Sequence, residues 1–125
     1  MLLALEADVT LNALASGGAW YGPADDGTAF PIVSVAQRGS PRRDYTQGAD
    51  GYDVYTYIVK AITSRDADGA EAIAARIHTL LHRQPLTVTG RTHMATLYQT
   101  NVSYPETIDG VTYWHEGGVY DVWVS

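Results

Sequence analysis

Histidines carry most of the chemistry this sequence could perform. His78 and His82 stand four apart in a helix-forming stretch. At that spacing two imidazoles project side by side and can share a metal ion. The glutamate of a His-Glu-x-x-His site is absent, because Thr79 follows His78. No third ligand can be placed, so two histidines on a solvated helix face, near the negative end of its dipole, is the favoured reading. His93, His115 and Glu116 fall on strand-like stretches, and Ser34 or Ser103 would complete a sketched triad. Neither serine stands in a Gly-x-Ser-x-Gly elbow, so the sketch has no local support. Gly17-Gly18 and Gly117-Gly118 lack the lysine and hydroxyl of a phosphate loop. Asp25-Asp26 lacks the ligand spacing of a calcium loop. The expectation is a protein without catalytic residues, metal or cofactor.

Charge and composition point toward binding instead. The net charge is −6, and Lys60 is the one lysine. An acidic surface repels phosphates, which argues against a general nucleic-acid binder. The basic cluster is Arg38 with Arg42-Arg43. It reads as a solvated loop or as a charged contact on a neighbour, or on DNA, within an acidic molecule. Tyrosine is abundant, with 9 copies against 1 phenylalanine, and suits both strands and interfaces. Arg38, Arg42, Arg43, Asp44, Tyr45, Tyr55 and Tyr57 are the candidate interface residues. There are 0 cysteines, which excludes a disulfide framework and thiolate metal sites. No apolar run reaches membrane-spanning length, so a soluble part of an assembly is expected, with no membrane partner.

The elements follow from periodicity. A first helix is expected over 2–15, with Leu3, Ala7, Leu11 and Leu14 on one face and Gly17-Gly18 beyond its end. Trp20 to Gly27 reads as a loop, and Phe30 to Gln37 as a short strand. Gly39 to Gly51 reads as a long polar loop, mobile in the free subunit and ordered on assembly. Residues 52–62 alternate as a long strand with both faces covered: Val54, Thr56, Ile58, Lys60 and Ile62 against Tyr55, Tyr57, Val59 and Ala61. A second helix is expected over 67–83, with Ala70, Ile73, Ala74, Ile77, Leu80 and Leu81 as one stripe, and Ile77 and Leu80 buried against the sheet. Asp68 and Glu71 resemble a capping box, and Asp66 adds to the acidic start. A strand over 93–104, an Asp109-Gly110 turn and a last strand over 111–124 complete the chain, with a bulge expected at Gly117-Gly118. The class is α+β in a single domain, 1–125, a mainly antiparallel sheet with two helices packed on one face.

These residues resemble a known family. The Leu-rich opening helix, Trp20-Tyr21-Gly22-Pro23 leading to Phe30–Val35, the strand Tyr52–Ile62 running into Ser64–His82, and the closing Gly118–Val124 carry the likeness. The layout is similar to the small tail-completion and tail-terminator proteins of long-tailed phages. That resemblance implies a ring, usually of six copies, which ends the tail tube and meets the head connector. The implied partners are the chain itself, the tail tube protein and the head–tail connector protein. DNA would pass through without being specifically bound. The implied location is the virion, with assembly in the host cytoplasm. Alternatives are a neck or head-completion protein, an adaptor binding through its sheet edge, or a small metal-dependent protein using His78 and His82.

Overall fold

The computed structural model describes residues 1–25, 27–44, 52–64 and 67–125. Two short helices open it, α1 (Leu2–Glu6) and α2 (Val9–Leu14). Six strands and a long helix follow: β1 (Ala19–Tyr21), β2 (Ile32–Gln37), β3 (Arg42–Asp44), β4 (Tyr52–Thr63), α3 (Ala67–Leu81), β5 (His93–Ile108) and β6 (Val111–Val124). One sheet holds all six strands in the order β1-β2-β4-β6-β5, with β3 also on β4. Every pairing is antiparallel except β1 with β2. The class is α+β.

The expected first helix is split. Asp8 sits in extended backbone, and its carboxylate accepts a hydrogen bond from Leu11 N at 2.8 Å. A short polar side chain that satisfies an N-terminal amide starts a new helix there. The same carboxylate takes two bonds from the Arg76 guanidinium of α3, at 2.8 and 3.0 Å. The split changes the buried face. Leu5, Leu11 and Ala15 are enclosed, whereas Leu14 is 40% exposed.

The core lies between these helices and one face of the sheet. Ala70, Ile73, Ile77 and Leu81 of α3 are fully buried at helical spacing. They join Leu5 and Leu11 over Val33, Val35, Val59, Ala61 and Tyr120. Register puts these strand residues on one face: Val33 lies opposite Ala61, and Val35 opposite Val59. Leu80 is only half-buried, at the margin of the cluster. Asp68 lies inside the first turn of α3 and not before it, so it complements the dipole without being a cap. Asp66 and the stretch Tyr45–Gly51 fall outside the described residues, and with them the expectation of a mobile loop there. The part of that loop which is described contains a strand, β3, with Arg42 opposite Val54 and Asp44 opposite Tyr52.

Gly117-Gly118 is not a bulge. Both residues stay in register with β4, while the register shifts fall in β5, at His93/Ala95 and Tyr98/Thr100. Close approach explains the glycines. A Cβ at Gly117 would fall on the Val59 carbonyl oxygen and 2.5 Å from Lys60 Cα. A Cβ at Gly118 would lie 2.6 Å from the Tyr98 ring.

The path of the chain gives the subunit two ends. β4 and β5 run in one direction, and α3 and β6 return. One end carries Arg38, β3, the last turn of α3 and the start of β5. The other carries Thr63, the first turn of α3 and the Asp109-Gly110 hairpin turn, where both residues have positive φ.

Candidate functional site

The basic cluster read from the sequence is a feature of the first end. Arg38 is exposed, and its amide donates to Thr56 O at 2.7 Å. The β3 register places Arg42, Arg43 and Asp44 beside the opening residues of β4. Tyr45 lies outside the described residues. Tyr55 and Tyr57 are half-buried on the helix-bearing face and line a cleft with Met1, Leu86 and Val88. Burial is the main cause that raises the Tyr57 phenol above its ordinary value, with Tyr21 and Tyr55 adding to it. The backbone of β3 and these tyrosines therefore lie toward the same end of the subunit.

The histidines are not a solvated helix face. His78 and His82 stack at 4.8 Å, and the edge of Tyr98 meets His78 at 5.0 Å. Tyr98 N donates to His82 Nδ1 at 3.0 Å, so neutral His82 carries its proton on Nε2. His93 plays the same part nearby, with its Nε2 2.7 Å from Thr96 Oγ1 and Leu86 N donating to Nδ1 at 3.4 Å. Arg83 N donates to Thr96 O at 2.8 Å. These bonds stitch the α3–β5 connection to the strand. Burial lowers the pKa of His82 first, with the charges of His78 and Arg83 adding to it. His93 is lowered chiefly by burial too. Among the described residues no group of three or more His, Asp or Glu side chains converges on a metal position.

Nor does a triad assemble. Ser103 Oγ bonds Glu116 Oε2 at 2.6 Å across β5 and β6. His115 is the next residue on β6, so it points to the other face. Ser34 lies opposite Lys60 on β2, and His93 is at the far end of β5.

Sequence reasoning missed a pocket at the hairpin end. Phe30, Ile32, Ile62, Ile108 and Tyr113 form the apolar lining of a cavity of about 350 Å³. Asp25, Glu106 and His115 supply its polar groups. His115 is 6% exposed and stacks on Tyr104 at 4.4 Å. Neither ring nitrogen has a hydrogen-bond partner, although Glu106 Oε1 stands 3.4 Å from Nε2. Burial holds the His115 pKa below its ordinary value, helped by Lys60 and opposed by Glu106. The segment before β2, Ile62 of β4 and the β5–β6 hairpin build this site from separate parts of the chain, so no local motif could reveal it.

The sequence profile of the tail completion protein gp17 family matches residues 1–115. The chain belongs to that family. A structural component of the phage virion tail is the role that this membership assigns. The fold agrees: a chain of the virion of a native gene transfer agent particle superposes with a TM-score of 0.78 at 19% identity, covering 98% of this chain and 89% of that one. No curated protein matches the sequence. Among the described residues no helix is long and apolar enough to cross a membrane.

Proposed function

We propose that the protein forms a closed ring that terminates the tail tube and joins it to the head connector. Family membership over residues 1–115 carries this reading. The partners are further copies of the chain, six in the ring that the resemblance implies, the tail tube protein and the connector protein. Its acidic balance suits a collar through which DNA passes without adhering. A ring needs two different patches on each subunit that meet head to tail, and the two dissimilar ends offer them. Arg38, Arg42, Arg43 and Asp44 at one end, with Tyr45, Tyr55 and Tyr57, are the residues proposed to face a neighbour or the tube.

Mass measurement of the purified protein, alone and with isolated tail tubes, tests the reading. The expected result is a complex of several copies at tube ends. A strict monomer that ignores tube ends would refute it.

A further inference from the structure

We propose that the pocket lined by Phe30, Glu106 and His115 receives Met94 and Arg83 of the next copy of this chain, so that subunits join end to end along their strands. The inference rests on the ring reading and specifies its contact.

The pocket itself asks for an occupant. It is apolar and open at the end of the subunit, with Phe30 37% and Ile108 51% exposed at its margin. Deep inside, neither ring nitrogen of His115 makes a well-formed hydrogen bond, Nδ1 having no polar neighbour in bonding geometry and Nε2 only Glu106 Oε1 at 3.4 Å. Buried polar groups of that kind are rare in native structures unless something else completes them. The surroundings are anionic. Asp25 and Glu106 line the pocket and are exposed, as is Asp109 in the adjoining hairpin turn. The charge of Lys60 reaches His115, but its ammonium is committed to Tyr104 Oη at 2.6 Å. An occupant should therefore bring an apolar side chain next to a cation.

The opposite end of the same chain presents that combination. Met94 is 52% exposed, and Arg83 shares its surface groove. A thioether is a weak acceptor for an imidazole N–H and packs well against aromatic rings such as Phe30 and Tyr113. Arg83 can fork onto the Glu106 carboxylate. Its backbone supplies a second sign. Arg83 stands just past the end of α3 with φ +59, in the left-handed region where glycine is usual. A non-glycine residue held there is a strained choice, and such choices cluster at functional positions.

The absence of native cysteine makes the test direct. Virions are assembled with a Met94→Cys, Ile108→Cys double variant, oxidised and run without reductant. Both positions are half-exposed, so the fold should tolerate them, and thermal unfolding of the free protein checks this. The expected result is a ladder of covalent multimers ending at the ring size, with monomers from either single variant. Monomers alone, from virions that carry several copies, would overturn the end-to-end contact and leave the ring standing. A single copy per virion would instead overturn the ring. Arg83→Gly, added to the double variant, should keep or raise Tm and cut the ladder at least tenfold. Arg83→Glu should cut it as well, and Glu106→Arg in the same chain should restore it. An undiminished ladder in either Arg83 variant would remove Arg83 from the contact.

Discussion

Gly117→Ala tests the reason for the glycine pair on β6. The new methyl group would meet the Val59 carbonyl and the Lys60 backbone. These atoms belong to β4, which pairs with β2 and β3 on one side and β6 on the other, so they cannot easily retreat. Overpacking typically costs about 1–3 kcal/mol, and a backbone obstacle puts this case near 3. Reduced freedom of the unfolded chain returns up to about 1 kcal/mol. The net loss is then about 2 kcal/mol. With about 2.1 cal/mol/K per residue, 125 residues give an unfolding entropy of about 260 cal/mol/K. Each kcal/mol therefore moves Tm by about 4 °C, and Gly117→Ala should lower it by about 8 °C in calorimetry. Gly118→Ala should cost about half as much, since its obstacle is the Tyr98 ring, which can tilt. A Gly117→Ala protein melting within about 2 °C of wild type would show that β4 does not approach β6 this closely.

Three further outcomes are expected. Ile77→Ala should cost about 2–5 kcal/mol in urea denaturation, and Leu80→Ala clearly less, because Ile77 is 0% exposed and Leu80 only half-buried; equal losses would contradict the orientation of α3. The pKa values of His82, His93 and His115 are lowered from 6.5 in the fold, so all three are neutral in both states above pH 7 and add no pH dependence there. As pH falls below 6.5 the unfolded chain binds protons that the folded chain refuses, and stability should drop until the folded values are reached; a flat Tm between pH 7 and pH 5 would refute this. Arg42→Glu with Arg43→Glu should leave Tm nearly unchanged and weaken joining to tails, most visibly at low salt, in a tail-to-head complementation assay; normal joining would remove β3 from the interface.

Strong periodicity made part of the fold legible. The alternation of 52–62, the stripe from Ala70 to Leu81 and the Asp109-Gly110 turn each state their element within a short window. The broken first helix was hidden for a physical reason. Asp8 looks like an outward residue on a helix until Arg76, 68 positions later, grips it. β1 escaped because three residues at a sheet edge carry no period. The helix that carries His78 and His82 is legible, but their cover is not, since the Tyr98 that meets them lies on β5, at least 16 residues away, beside a register shift that leaves no mark in composition. The pocket around His115 had no signal at all, because its walls meet only after β1, β2 and the β5–β6 hairpin have been arranged.

The parallel pairing of β1 with β2 has a consequence for that pocket. Adjacent parallel strands need a connection that returns along their length, and here the described residues between Tyr21 and Ile32 make it without a helix. The segment is tied at both ends, where Gly22 N donates to Val35 O at 2.8 Å and Pro31 O accepts from Gly17 N, in the turn before β1, at 2.9 Å. Phe30, one wall of the pocket, therefore rides on a strap whose slack is set by three residues at the sheet edge. If the wall moves, β1 must unzip, and if the wall is held, β1 is held with it. Amide hydrogen exchange at Trp20 and Tyr21 thus becomes a remote gauge of occupancy: fast when the pocket is empty, slow once a neighbour fills it.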